Sequence, residues 1–267
     1  MEYHASLPQH NDNVSNEHPL KDFLLILSGL AVIGVLAFWL LGFAVDWAVD
    51  SLSPQAEAKL NSMAAVNLPA SPREEAKRGE RVQGLVTAMH QCAGLNVKPQ
   101  LRMHKSPAPN AAVVPGGTIV VFTGLLDRVR SENGLSFVLA HELAHIANRD
   151  HLRVLGRGIV LFGISTILTG SDSGLSGLLA PAAHLGTAKY SRAREALADA
   201  KALQILNCRY GHAGGATELF EALKKEDAET SGVSHYLASH PSMQARIDAL
   251  ERAIRTQAMP VQAVRPL

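Results

Sequence analysis

Cysteine is nearly absent from this sequence: 267 residues carry only Cys92 and Cys208. Two are too few for a disulfide-stapled scaffold or a cysteine-rich zinc module. An excess of one charge is also missing. Lysine and arginine number 25, aspartate and glutamate 24, and the formal net charge is +1. A protein that binds nucleic acid through bulk positive charge would show a large basic surplus, so that class is excluded. Disorder over the whole chain is excluded as well, because 47% of residues are hydrophobic and only 18% charged. No internal repeat is visible. Histidine stands out instead, with twelve copies, and their placement carries most of the chemistry.

Residues 1–22 are polar and read as a disordered tail. The run 23–45 follows, FLLILSGLAVIGVLAFWLLGFAV, without a charged residue. As a helix it spans about 34 Å, enough to cross a hydrocarbon core of about 30 Å. Trp39 and Trp47 lie toward one end, where aromatic side chains favour the interface. The run is longer than a signal-peptide core, and Phe43-Ala44-Val45 is a poor cleavage site. The reading is therefore one uncleaved membrane anchor. Lys21 before the span and Lys59 after it are too balanced to set an orientation.

Residues 46–70 read as a connector and 71–256 as one domain, with 257–267 as a tail without a clear element. Ser71-Pro72-Arg73-Glu74 is a helix start, with Ser as cap, and that helix is expected to run to about residue 91. Candidate strands are 99–103, 111–114 and 118–123, the last two separated by Pro115-Gly116-Gly117. Ser131 is placed to cap an apolar-periodic helix through Ile146. Further helices are expected at about 188–209, 215–226 and 242–256. Residues 154–185 are apolar and rich in Gly and Ser, but too short in continuous apolar length to span. They read as a helix packed on the domain or lying on the bilayer surface.

His141-Glu142-Leu143-Ala144-His145 is an HExxH motif inside the periodic helix. Positions i and i+4 share a helix face, so both imidazoles can reach one ion. Zinc suits imidazole nitrogen, and a catalytic zinc takes three protein ligands and a water. Glu142, beside the first His, can take a proton from that water. Glu195 and Asp199 are four apart on the next strong helix. Glu195 is the candidate third ligand. Asp199 is the candidate acceptor for the second nitrogen of a ligating His, fixing its tautomer. The constellation calls for one Zn2+ per chain. His151 reads as a helix-end or surface residue. Cys92 and Cys208 read as packed helix residues, and they can pair only if the domain lies outside the cytoplasm.

HELAH, then Tyr190-Ser191-Arg192 with Glu195 and Ala198-Asp199, then Ser239-His240-Pro241-Ser242 with Arg246-Ile247, form an ordered set. Asn110-Ala111 with Pro115-Gly116-Gly117-Thr118-Ile119-Val120-Val121 precedes it. Over about residues 72–252 the chain resembles the HtpX-like and CAAX-prenyl-endopeptidase family of zinc metallopeptidases. That resemblance implies a mainly α fold with a small β-sheet (α+β), a gluzincin-type domain preceded here by one transmembrane helix. It implies endopeptidase activity, with His141, His145 and Glu195 on zinc and Glu142 as general base. It also implies that His240 approaches the metal. His240, Arg246 and Tyr190 are candidate oxyanion donors or regulatory residues. Thr118, Ile119, Val120 and Val121 are the candidate edge strand for an extended peptide. The single span is closer to single-anchor bacterial relatives, which implies a bacterial inner membrane with the domain in the periplasm. The expected partners are a protein or peptide substrate and the lipid bilayer, with no nucleic acid. The expected substrates are misfolded or membrane-associated proteins. A non-catalytic chaperone or assembly factor with a blocked metal site is the competing reading. Glu142 argues against it, because a structural zinc site has no use for a base.

Overall fold

The computed structural model describes residues 19–64, 71–96, 98–114, 116–170, 191–229 and 243–267. By chain contacts it divides into residues 1–46 and a compact unit of residues 47–267. Helix α1 runs Pro19–Asp50. It is the one described helix long and apolar enough to cross a membrane. Its side chains from Phe23 to Phe43 are largely exposed. Residues 46–64 are more regular than a connector. They hold the last turns of α1 and a second helix, α2 (Pro54–Ala64).

The first helix of the domain starts later than its sequence suggests. A single 3-10 turn covers Arg73–Glu75, and α3 covers Ala76–Met89. Ser71 is not its cap. Its hydroxyl accepts instead from the Met103 N–H at 3.0 Å, so it ties the segment to the sheet. Strands β1 (Leu101–His104), β2 (Ala111–Val114) and β3 (Thr118–Phe122) follow. Gly116 and Gly117, at φ 99° and 73°, make the turn between β2 and β3, a region that glycine reaches without strain.

The sheet order is β1-β3-β2. β3 pairs parallel with β1 and antiparallel with β2. The stretch 118–121 is therefore the central strand, not an edge. Its peptide groups are used on both sides, and no substrate can add there. The reason is topological: the parallel β1–β3 pairing reaches back over β2, and no local pattern announces it.

A short helix α4 (Thr123–Leu126) leads to α5 (Glu132–Ala147), with Ser131 capping the Gly134 N–H. α5 runs through the middle of the core, and every residue from Asn133 to Ile146 is buried. It packs along α7 (Arg192–Tyr210) and touches α3, β2 and α6 (Asp150–Thr169). α8 (Glu218–Glu229) and α9 (Met243–Thr256) close the other side. α7 has Ser191 as N-cap and ends at Gly211, φ 76°. α6 buries its first turn at His151, Leu152 and Arg153, but leaves Ile159, Leu161, Ile164 and Ile167 exposed.

Two further features go beyond the sequence reading. Residues 257–267 carry no helix but are tied to the domain. Ser131 bridges Pro266, the Glu132 N–H donates to the Arg265 carbonyl, and the Leu267 N–H donates to the Arg130 carbonyl. Cys92 and Cys208 form a disulfide with Cα atoms 6.0 Å apart, joining the turn after α3 to the last turn of α7.

Candidate metal centre

The periodicity that buries α5 also fixes its polar residues. His141 and His145 lie one turn apart and are 3% and 0% exposed. Facing them, α7 contributes Glu195 and Asp199, also one turn apart and buried. The facing nitrogens, His141 Nε2 and His145 Nε2, are 3.0 Å apart. Glu195 Oε2 is 3.5 Å from the first and Oε1 is 3.4 Å from the second. Ligands about 2.0–2.1 Å from a common tetrahedral centre would be separated by about 3.3 Å. These three residues therefore fit one metal ion.

The outer nitrogens complete the fit. His141 Nδ1 is 2.9 Å from Asp199 Oδ1, and His145 Nδ1 is 2.9 Å from Asp150 Oδ2. A carboxylate on Nδ1 keeps the proton there and leaves the Nε2 lone pair facing inward. Two such lone pairs at 3.0 Å repel unless a cation lies between them. The titration behaviour carries the same sign. Burial pushes the His141 pKa down, but the hydrogen bonds to Asp199 and Glu195 outweigh it and raise it to about 9. His145 is also raised, against burial, by Asp150 and Glu195. The pocket stabilises positive charge.

Asp199 is held in turn. Arg246 Nε donates to Oδ2 at 2.8 Å and Nη2 to Oδ1 at 2.6 Å. Burial pushes the Asp199 carboxyl up, yet the His141 hydrogen bond and the Arg246 charge bring it down to about 2. Arg246 Nη1 lies 3.3 Å from Glu195 Oε2, and the guanidinium stacks over Phe220 at 4.5 Å. Arg246 was a candidate oxyanion donor. All three of its nitrogens are occupied by the carboxylates that orient the site, so it is better described as their clamp. Glu142 is 2% exposed, and Ala111, Val138, His141, Glu142 and Phe220 line one small cavity. His240 and Tyr190, the other candidates, lie outside the described residues.

Sequence reasoning missed Asp150, and it placed His151 at a helix end, as found in the first turn of α6, but also allowed it a surface position that it does not have. Asp150 follows Arg149, which has φ 56°. That left-handed residue turns the chain sharply between α5 and α6, bringing Asp150 back to His145. An acidic residue five positions after the second His was the available signal, but its direction depends on the turn. His151 is 2% exposed, not a surface residue, and burial lowers its pKa to about 4.

Comparison with known proteins agrees with this geometry. A family model described as Peptidase family M48 matches residues 76–254. The chain is similar to "Mitochondrial metalloendopeptidase OMA1" of Schizosaccharomyces pombe, 30% identical over 58% of this chain and 47% of the relative. It is similar to a "Protease HtpX homolog" of Bordetella pertussis, 29% identical over 87% of this chain and 90% of the relative. A "Protease HtpX homolog" of Bordetella petrii is 31% identical over 73% of this chain and 77% of the relative. The chain thus spans about half of the yeast relative and most of the bacterial ones. A buried His-His-carboxylate cluster inside the matched span, and relatives named as metalloendopeptidases and proteases, lead to one conclusion: this chain belongs to Peptidase family M48.

Proposed function

We propose that this protein is a membrane-anchored, zinc-dependent metalloendopeptidase. The observation that carries the reading is the convergence of His141, His145 and Glu195 within 4.8 Å of one another, with each imidazole backed by its own carboxylate. Two imidazoles and one carboxylate are a donor set that suits zinc and leaves a fourth position for water. When bound, the ion would supply Lewis-acid polarisation of a carbonyl and a water acidic enough to lose a proton near neutral pH. Glu142 is the chain's own base. Its carboxylate takes the proton from the attacking water and delivers it to the leaving amine nitrogen. Asp199, Asp150 and Arg246 hold the imidazoles and Glu195 in place while this happens.

The substrate edge is assigned to β2. The Phe122 N–H donates to the Asn110 carbonyl, so that pair is hydrogen-bonded. Antiparallel pairs alternate, so the peptide groups of Ala111 and Val113 point away from β3. Ala111 lines the cavity beside Glu142. An extended peptide pairing with this edge would run past the base, with little demand on its sequence. Val113→Pro removes one outward N–H and spares the β3 ladder. Cleavage is expected to fall while metal content and fold persist; unchanged cleavage sinks the assignment.

The anchor is α1, and the exposed apolar residues of α6 support seating of the domain against the bilayer. The disulfide Cys92–Cys208 supports an oxidising compartment, hence the periplasmic side of a bacterial inner membrane. Misfolded or membrane-associated proteins are the substrate class that the resemblance suggests. The deciding experiment compares the full zinc-loaded chain with Glu142→Gln against an unfolded protein substrate. Cleavage by the parent alone, with one zinc in each protein, is the expected result. No cleavage by the parent at one zinc per chain would overturn the reading in favour of a non-catalytic zinc protein.

A further inference from the structure

The corner between α5 and α6 joins the metal centre to the end of the anchor helix. Arg149 sits at φ 56° and ψ 27°, a left-handed conformation that glycine adopts more cheaply than any residue with a Cβ. Its side chain has a specific task there. Nη1 donates to the Val49 carbonyl at 3.0 Å, and Nη2 pairs with Glu57 of α2 at 2.8 Å. The last carbonyls of a helix lack intrahelical partners and carry the negative end of its dipole, so a guanidinium is well placed on them. One turn further along α6, Arg153 pairs with the Asp50 carboxylate, the last residue of α1. The Arg153 side chain is only 8% exposed.

Asp150 lies between these two arginines and binds in the other sense. Its Oδ2 meets His145 Nδ1 at 2.9 Å, and its Oδ1 meets Arg194 of α7 at 3.2 Å. Asp150 is 1% exposed and His145 0%, so neither group can exchange its partner for water. Within one helical turn, two residues grip positions 49–57 and one aims a metal-ligand imidazole.

We propose that the last turn of α1 and helix α2 brace the metal centre. Arg149 and Arg153 transmit the seating of residues 49–57 to Asp150, and through Asp150 to the ring of His145. Arg149, Arg153, Asp50 and Glu57 are then positioning residues. They touch neither metal nor substrate, but they set how tightly the metal is held. The proposal rests on the reading above that His145 is a ligand. It gives residues 49–57 a role beyond linking anchor to domain: chain length there could be kept while the site loosens.

The test uses the full chain in phospholipid vesicles or mild detergent. Zinc affinity is read by competition with a chelator, and ligand geometry by the visible spectrum of the cobalt-substituted protein. Arg149→Gly removes the guanidinium and relieves the backbone at once, so a purely structural role predicts no loss. The brace predicts zinc binding weaker by about 10–100-fold, the range for lost outer contacts to a ligand, together with a changed cobalt spectrum. It also predicts partial rescue in Arg149→Lys. Glu57→Gln, on the half-buried partner, should shift affinity in the same direction by less, and it decides the matter if Arg149→Gly does not fold. A parent that binds one zinc, with variants that bind it equally tightly and give the same spectrum, overturns the brace even if their melting temperatures fall. A parent that binds no zinc overturns the reading of the site itself, which is a separate failure.

Discussion

Helices α1 and α5 are both apolar around most of their circumference, yet their surroundings are opposite. Leu30 in α1 is 61% exposed, and Leu139 in α5 is 0% exposed. Length separates them, 32 residues against 16, and so does the polar remainder. In α1, Ser28 donates to the Leu25 carbonyl of its own helix at 2.9 Å, so the helix asks nothing of a neighbour and suits lipid. In α5, His141, Glu142 and His145 cannot satisfy themselves. The two imidazoles take the carboxylates of α7 and of the α5–α6 corner, which only a protein interior supplies. A membrane span and a polar-bearing core helix are thus distinguished by who completes their hydrogen bonds.

The largest effect expected from breaking this contrast lies in packing. Leu139→Ala should destabilise the domain by about 2–5 kcal/mol. Leu30→Ala should leave domain stability within about 0.5 kcal/mol. Denaturant melts of the two variants in detergent check this. If both melt alike, the assignment of α1 to lipid and α5 to the core is wrong.

His151 gives the next effect, visible in acid. Burial holds its folded pKa at about 4, below the ordinary 6.5. The unfolded chain takes up this proton first as pH falls, so the stabilisation is complete above pH 6.5. It is lost progressively down to about pH 4, amounting to about 3 kcal/mol. His151→Phe should flatten that part of the stability–pH curve. A curve that keeps its slope would assign the acid loss elsewhere.

Smaller changes bear on the metal. Asp199→Asn keeps the shape but weakens the charge behind His141, and zinc affinity should fall by about 10–100-fold, read by chelator competition. pH should act through the same pair. The metal-free His141 holds its proton to about pH 9, and a ligand must give that proton up. Zinc affinity should therefore rise with pH from 7 to 9, by up to about tenfold per unit for one displaced proton, and then level off. An affinity that is flat over this range would show that His141 is not protonated in the metal-free chain.

Much of the site was legible because it obeys local rules. His141 and His145 share a face by spacing, as do Glu195 and Asp199, and Ser131 and Gly211 mark helix ends by their backbone needs. Asp150 was not legible, because its direction hangs on one left-handed residue, Arg149. Nor was the use of Ser71 on the Met103 N–H, a bond between residues 32 apart in sequence. The strand at 118–122 was placed correctly along the chain, but not within the sheet.

The sequence by itself determined the span, the helices that carry the candidate ligands, and the three side chains able to meet at one ion, since each follows from periodicity or composition within a short window. Tertiary structure alone decided that β3 is central and β2 an edge among the described residues, and that Arg246 clamps Asp199 and Glu195. It also decided that the tail joins the domain and that the end of α1 is bound beside Asp150. Those outcomes depend on pairings between distant segments, whose geometry is set by how the whole core packs and not by any stretch of residues alone.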